Sequence, residues 1–80
     1  MRRPAFALVD ISEAQIQVQH IAEGHLYNFK FVEDVDGEIQ LSNAPIDVVE
    51  VADASDGAST FLDAARSFAE NEARAHGRMA

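Results

Sequence analysis

The sequence predicts an α+β fold, in which a small antiparallel β-sheet of three to five strands carries one C-terminal α-helix packed on one face. Two segments between residues 15 and 32 alternate apolar and polar side chains, which is the period of a half-buried strand. An Asp-Gly pair at residues 36–37 lies between alternating segments, as in a β-hairpin. Residues 59–76 repeat apolar side chains at helical spacing. We therefore expect a single domain over residues 1–80, with strands within 5–52, a loop at 53–58 and the helix at 59–76.

The first two strands are predicted at residues 5–11 and 15–21. The first is a short apolar run, and the second alternates glutamines with apolar residues until Gly24 breaks the pattern. In the first strand the two expected faces consist of Phe6 and Leu8 on one side, and of Ala7, Val9 and Ile11 on the other. In the second, His20 falls at the end of the inward face.

The strongest strand signal lies at residues 26–32, where Tyr27, Phe29 and Phe31 share one face. The Asp-Gly pair that follows suits a two-residue type I′ turn, because aspartate and glycine tolerate the positive φ angles of that turn. Alternating residues 39–41 then supply the return strand. Residues 46–51 are dominated by β-branched side chains and are predicted as a further strand.

The helix is expected to begin after a cap at Ser59 or Thr60 and to stop at Gly77, a residue type that often follows a helix. Its apolar stripe contains Phe61, Leu62, Ala65, Phe68, Ala69 and Ala73. This stripe and the aromatic face of the third strand are the two strong apolar faces of the chain. We expect them to pack against each other.

The charge balance limits the partners of the protein. Six basic and fourteen acidic residues give a net charge of -8, which nucleic acid and anionic membranes would repel. An apolar content of 48% is too high for a disordered acidic tail, and the absence of cysteine excludes a disulfide-stapled scaffold. The apolar run at residues 5–9 is too short for a signal peptide, and no segment approaches the length of a membrane span. We therefore expect a cytoplasmic protein of a host bacterial cell that binds neither nucleic acid nor membrane directly.

No residue pattern in the sequence identifies a reaction. The spacing of His20, His25 and His76 matches no zinc site, which favours structural or surface histidines. The segment around the Asp-Gly pair lacks carboxylates at the strongest ligand positions of a calcium loop. The serines have no nucleophile-elbow context, and the glycines form no phosphate-binding loop. We expect no enzyme activity, no cofactor, no metal site and no small-molecule substrate.

Acidic residues instead cluster in a part of the sequence that has few basic residues. Lys30 is the only basic residue between Arg3 and Arg66. The clustered acids are Glu33, Asp34, Asp36 and Glu38 in one segment, and Asp47, Glu50, Asp53 and Asp56 in the next. One interpretation is solubility and protection of a hairpin against edge-to-edge pairing. The other is a contact surface, because alternate residues of a strand are about 6.5–7 Å apart, close to the spacing of phosphates along a nucleic-acid strand. Carboxylates spaced in this way can occupy a basic groove built for a phosphate backbone, so these eight residues are predicted to bind a partner protein.

In its size, its acidity, its lack of cysteine and the acidic segments Glu33-Asp34-Val35-Asp36-Gly37-Glu38 and 47–56, the chain resembles the anti-CRISPR proteins of phages and mobile elements. Several proteins of that group use carboxylate surfaces to occupy the DNA-binding face of a CRISPR effector complex. The resemblance, which is one of profile over the whole chain, implies a DNA mimic that inhibits by binding protein. It also implies a CRISPR effector subunit as the partner, contacted where that subunit recognises target DNA and its PAM.

Two other classes of protein fit the same features. A short sheet followed by a helix resembles the antitoxin domain of HicB type, which neutralises a basic RNase toxin. That family usually runs from a third strand straight into the helix and then adds a strand, whereas here the helix is the last predicted element and residues 53–59 carry no matching signature. A small structural phage protein would need an apolar oligomerisation surface, which the faces of strand 26–32 could provide. The first two interpretations share the expectation that an acidic face contacts a basic protein that handles nucleic acid.

Overall fold

A computed structural model describes residues 5–79 and shows, within that range, five β-strands followed by one α-helix. The strands are β1 (Phe6–Ile11), β2 (Gln15–His20), β3 (Leu26–Glu33), β4 (Ile39–Leu41) and β5 (Asp47–Val49). A 3-10 turn at Ala58–Phe61 leads into helix α1 (Leu62–Ala75). The predicted α+β class, with its antiparallel sheet and C-terminal helix, is confirmed. Residues 1–4 and 80 of the predicted domain lie outside the described residues.

The sheet has one regular half and one interrupted edge. Strands β1, β2 and β3 form an antiparallel meander. Strands β4 and β5 both pair antiparallel with β3, β4 along its C-terminal end and β5 along its N-terminal end. The two short strands therefore follow each other along the same side of β3, and residues 42–46 form the interruption between them.

The helix packs on one face of the sheet, as the two apolar patterns predict. Ile16 and Val18 of β2 lie opposite Phe29 and Tyr27 of β3, and all four side chains are fully buried. The helix turns small residues toward them, namely the fully buried Ala65, Ala69 and Ala73. Because alanine has so short a side chain, the helix backbone can approach the aromatic face closely. Half-buried side chains complete the core around this centre, among them Phe31, Phe61, Leu62 and Phe68.

Strand β1 contains a bulge that the sequence pattern does not reveal. Its pairing with β2 shifts between Leu8 and Asp10, so that Val9 is an extra residue and is exposed. The extra residue reverses the alternation of side chains after it, which returns Ile11 to the face of Leu8 and to the core. The prediction that Ile11 lies on the face opposite Leu8 was wrong for this reason.

The hairpin between β3 and β4 has a longer turn than predicted. The Gly37 N–H donates to the Asp34 carbonyl at 3.0 Å, and the Asp34 N–H donates to the Glu38 carbonyl at 2.9 Å. Gly37 has a φ of 82°, whereas no residue other than glycine has a positive φ in the described part of the chain. A type I′ turn requires positive φ at both central residues, and Asp36 does not meet that condition. The prediction of a two-residue turn was wrong, and residues 35–37 form the tip.

The start of the helix differs from the prediction, because neither Ser59 nor Thr60 caps it with a side chain. The chain instead enters through the 3-10 turn. The nearest carboxylate to the first N–H groups comes from outside the helix, since Glu50 Oε2 accepts the Ala58 N–H at 3.4 Å. Glu50 lies eight residues before Ala58, outside the spacing of a capping box, so this contact leaves no such signature in the sequence.

The end of the helix agrees with the prediction of a stop at Gly77. This glycine has a φ of 72°, and its N–H donates to the Arg74 carbonyl at 3.1 Å. The Arg78 N–H donates to the Ala73 carbonyl at 2.8 Å. Both hydrogen bonds are those of a Schellman motif, in which glycine supplies the left-handed conformation that ends a helix.

Candidate interaction surface

Seven of the eight predicted partner-binding residues lie at the two ends of the interrupted β4–β5 edge, and Asp47 begins β5 beside the interruption. We name Glu33, Asp34, Asp36 and Glu38 the hairpin cluster, and Asp47, Glu50, Asp53 and Asp56 the loop cluster. Strand β4 meets β3 at Glu33 and β5 meets it at Leu26, a separation of about 23 Å for extended strand. The structure therefore places the acids in two clusters along one edge and does not bring them into a single patch.

Six of these eight carboxylates are exposed and make no hydrogen bond or ion pair within residues 5–79. They are Glu33, Asp36 and Glu38 of the hairpin cluster, and Asp47, Asp53 and Asp56 of the loop cluster. A carboxylate without an intramolecular partner contributes its full charge to the surface. These six residues can therefore contact a partner protein without breaking any interaction of the fold.

Asp34, in contrast, organises the turn that carries it. Its Oδ1 accepts the N–H groups of Asp36 at 2.9 Å and Glu38 at 3.0 Å, and its Oδ2 accepts the Gln40 side-chain amide at 2.7 Å. The Glu38 N–H hydrogen bond is the largest of the effects that hold the pKa of Asp34 below its ordinary value. Asp34 was predicted as a partner-binding residue, and its carboxylate already has three donors within the turn.

Two further carboxylates hold the loop between β5 and the helix. Glu50 accepts the Ala58 N–H, as described above, and Glu23 Oε2 accepts the Ser55 N–H at 2.6 Å. Glu23 lies in the connection between β2 and β3, far from the loop in sequence. The hydrogen bonds to Glu23 and Glu50 thus hold the loop that carries Asp53 and Asp56 against the rest of the fold.

A buried histidine makes the closest attachment of this loop. The Val51 N–H donates to Nδ1 of His25 at 3.0 Å, and Nε2 of His25 lies 2.8 Å from the Asp56 carbonyl oxygen. Because Nδ1 accepts a hydrogen bond, the neutral ring carries its hydrogen on Nε2 and donates it to Asp56. His25 is fully buried, so one imidazole fixes both ends of the segment 51–56 against the sheet.

A second buried histidine supports the same region. The His20 ring stacks on Phe61 with centroids 3.9 Å apart, and its Nδ1 accepts the Glu23 N–H at 3.2 Å. The sequence favoured structural or surface histidines, and His20 and His25 are both buried structural residues. The third, His76, is exposed near the end of the helix, 3.8 Å from Glu72.

The two acidic clusters differ in their nearest basic residues. Glu38 of the hairpin cluster lines a shallow cavity together with Arg66 and Arg74, and Glu33 lines another with Arg78. No arginine, lysine or histidine side chain hydrogen-bonds to a loop-cluster carboxylate within residues 5–79. Negative charge is therefore less balanced at the loop cluster than at the hairpin cluster.

A small apolar groove lies beside the loop cluster, between β5 and the start of the helix. We name it the β5 groove. It has a volume of about 250 Å³ and is lined by Tyr27, Pro45, Val48, Glu50, Ala58, Ser59 and Leu62. Tyr27 is fully buried beneath it and donates its hydroxyl to the Ala58 carbonyl at 2.6 Å. Burial, together with the nearby Glu50 charge, raises the pKa of the Tyr27 hydroxyl.

Sequence reasoning missed the residues that hold this surface in place. The hydrogen bonds of His25 join positions 26 and 31 residues apart, and that of Glu23 spans 32. No periodicity or local motif reports contacts of that range. A histidine next to a predicted strand was the one available signal, and it does not identify its partners.

Comparison with known protein families, with curated proteins and with solved structures found no match for this chain. In residues 5–79, no helix has the length and apolar character needed to cross a membrane. No group of three or more histidine, aspartate or glutamate side chains is arranged to hold a metal ion in the same range.

Proposed function

We propose that this protein is a small acidic inhibitor that binds the nucleic-acid-binding surface of a basic partner protein and excludes nucleic acid from it. The observation that carries the proposal is a set of six exposed carboxylates in the β3–β4 hairpin, on β5 and in the loop after it, which make no hydrogen bond or ion pair within residues 5–79, in a chain with a net charge of -8. A basic groove that holds a phosphate backbone is the chemical complement of such an edge. Attraction of this kind mainly raises the rate of association.

Of the two acidic clusters, we expect the loop cluster to be the one that contacts the partner. Among residues 5–79, no basic residue lines the groove beside Glu50, whereas Arg66, Arg74 and Arg78 line cavities together with Glu38 and Glu33 of the hairpin cluster. His25 and Glu23 also hold the loop in one conformation. Ordering this loop in advance lowers the entropy that binding would otherwise cost.

The resemblance to anti-CRISPR proteins selects the class of partner. In that class the basic surface belongs to a CRISPR effector subunit, at the site where it binds target DNA beside the PAM. The protein would act in the cytoplasm of the bacterial host, where its partner is found. Inhibition would follow from occupation of that site, without any reaction catalysed by this chain.

No observation of the structure specifically favours a HicB-type antitoxin or a structural phage protein. Strands β4 and β5 lie between the third strand and the helix, whereas that antitoxin family usually runs directly from one to the other. One face of β3 is covered by the helix, and the other carries the polar residues Asn28 and Lys30 between the apolar residues Leu26 and Val32. Neither face of this strand is therefore free and apolar, as an oligomerisation surface would require.

The proposal is tested with three variants that each remove three charges without removing a hydrogen bond. The hairpin variant carries Glu33→Gln, Asp36→Asn and Glu38→Gln; the loop variant carries Asp47→Asn, Asp53→Asn and Asp56→Asn; and the control carries Asp10→Asn, Glu13→Gln and Asp63→Asn. Each immobilised protein is used to capture partners from a lysate of bacteria that express a CRISPR effector complex. Bound effector is identified by mass spectrometry, and competition with target DNA is then measured on the purified complex.

We expect the wild type and the control to capture the effector equally, and the loop variant to capture much less. Capture should weaken as salt rises through the physiological range, because screening shortens the reach of the attraction. Equal capture by all variants with no effect of salt would contradict the proposal and favour solubility as the role of the acids. Capture of a basic RNase in place of the effector would favour the antitoxin class.

A further inference from the structure

We infer that the β5 groove binds one apolar side chain from a basic segment of the partner protein. The inference rests on the proposed function and deepens it, because it adds an apolar anchor to the acidic loop cluster. The two features are contiguous, since Glu50 belongs to the loop cluster and also lines the groove. The partner segment would therefore meet carboxylates and an apolar cavity in the same place.

The size and lining of the groove select a side chain as its occupant. Its volume of about 250 Å³ is below the roughly 300–1,000 Å³ of small-molecule sites. Tyr27, Val48 and Leu62 provide apolar walls, and Val48 remains 36% exposed although it lies on the helix-facing side of β5. A leucine or methionine side chain would cover the exposed parts of Val48 and Leu62 and remove them from water.

The charge around the groove selects a basic segment around that side chain. No basic residue lines the groove, and Glu50 is its one charged wall. The Glu50 carboxylate lines the same groove as the apolar side chains of Val48 and Leu62. An arginine or lysine next to the apolar anchor would therefore lie close to the Glu50 carboxylate.

A second copy of this chain is a poor occupant for the same reason. It would bring a further net charge of -8 toward a surface that already has unbalanced carboxylates. Addition of a strand to β5 is also disfavoured, because β5 has only three residues and Pro45 lies just before it. Side-chain insertion avoids both obstacles.

The groove and the acids would then have different effects on binding. The acidic edge accelerates association over a distance, and its effect is screened by salt. The buried anchor slows dissociation, as apolar side chains in desolvated pockets do. An inhibitor that competes with nucleic acid benefits from the second effect, since nucleic acid offers charge without an apolar anchor of this kind.

The test uses three short synthetic peptides and isotope-labelled protein. The first peptide has one leucine between two pairs of arginines, the second replaces the leucine by glycine, and the third replaces the arginines by glutamates. Titration is followed by the amide resonances of the groove and of the loop. We expect the leucine peptide to shift the resonances of Val48, Ala58 and Leu62 at saturation, and to bind about tenfold or more tightly than the glycine peptide.

Matched variants show whether the groove itself is the site. Ser59→Phe fills the groove from an exposed position whose side chain makes no hydrogen bond, and Ser67→Phe makes the same change on an exposed part of the helix outside the groove. Ser59→Phe should make the leucine and glycine peptides bind equally. Ser67→Phe should behave as the wild type.

The outcomes separate this inference from the proposed function. Equal binding of both basic peptides to the wild-type protein, with shifts confined to the acidic residues, would overturn the groove and leave the acidic surface intact. Binding of the glutamate peptide at the groove would also overturn it. If no peptide shifts any resonance up to millimolar concentration, the groove is not a binding site, and the capture experiment alone decides the proposed function.

Discussion

Neighbouring acids of one turn serve different purposes in this protein. The side chain of Asp34 accepts three hydrogen bonds within the hairpin. The side chain of Asp36, two residues later, is exposed and accepts none within the described residues. Their residue types are the same, so composition cannot distinguish them. The difference depends on which carboxylate lies inside the curve of the turn and meets its N–H groups.

Replacement of Asp34 should therefore destabilise the fold, while replacement of Asp36 should not. Asp34→Ala leaves the N–H groups of Asp36 and Glu38 without their acceptor, and we expect a lower melting temperature than for the wild type. Asp36→Asn removes an equal charge nearby and is the matched control, with an expected melting temperature close to that of the wild type. Thermal unfolding at pH 7 followed by circular dichroism measures both.

The stability difference between the wild type and Asp34→Ala should also depend on pH, with a sign that follows from the lowered pKa of Asp34. A carboxyl whose pKa is lower in the folded state stabilises the fold above its unfolded pKa, and this contribution is lost as pH falls through the folded value. The wild type should thus lose its advantage over Asp34→Ala as the pH falls below the ordinary value of 3.8. An advantage that stays constant from pH 7 to pH 2 would show that the charge of Asp34 does not support the turn.

At the scale of elements, the loop between β5 and the helix is the part of the surface most dependent on a single side chain. His25 donates to Asp56 and accepts from Val51, so it joins the two ends of segment 51–56 to the residue that directly precedes β3. A loop attached in this way behaves as part of the sheet. Its acids are then presented at fixed positions.

Replacement of His25 by phenylalanine should release this loop while keeping a ring in the buried space. His25→Phe leaves the Val51 N–H and the Asp56 carbonyl without partners, at an expected cost of about 1–3 kcal/mol in the free energy of unfolding. Amide hydrogen exchange at Val51 should become much faster, and exchange in β2 should change less. His76→Phe, at an exposed position, is the control. Unchanged exchange at Val51 in His25→Phe would contradict the assigned role of the histidine.

The elements that the sequence predicted share one property, namely that their patterns are local. A short apolar run located β1, alternation located β2 to β4, and helical spacing located α1 with its stop at Gly77. What the sequence could not predict depends on pairing between segments. The extra residue Val9 shifts a register that only β2 defines, and the cap from Glu50 crosses from the strand edge to the helix.

Only the acidic residues of the candidate site could be predicted from the sequence. The eight acids could be counted in the sequence, and six of them are exposed without partners in the described structure. The sequence could not separate Asp34 and Glu50, which bond to the backbone, from the rest. It also gave no sign of the β5 groove, because Tyr27 and Leu62 reach it from elements far apart in the chain.

At the scale of the whole molecule, the charge is distributed unevenly. Arginines of the helix lie beside the hairpin cluster, where their charge offsets that of Glu33 and Glu38. Within the described residues, the groove lined by Glu50 of the loop cluster contains no basic residue. Repulsion among its carboxylates works against the folded state, as high net charge generally does. A surface that lowers stability in this way is typical of a binding site.

Salt should therefore stabilise this protein, and removal of the loop acids should reduce that effect. Between about 10 mM and 150 mM salt the screening length falls from roughly 30 Å to 8 Å, so the melting temperature of the wild type should rise. At low salt the loop variant, with Asp47, Asp53 and Asp56 neutralised, should melt above the wild type. The hairpin variant, with Glu33, Asp36 and Glu38 neutralised, should gain less or lose stability, because it removes attraction to nearby arginines together with repulsion. Thermal melts of the three proteins across this range measure the difference. A larger gain for the hairpin variant, or melting temperatures independent of salt, would mean that the loop cluster is not the unbalanced end of the molecule, and its assignment as the contact surface would lose its electrostatic basis.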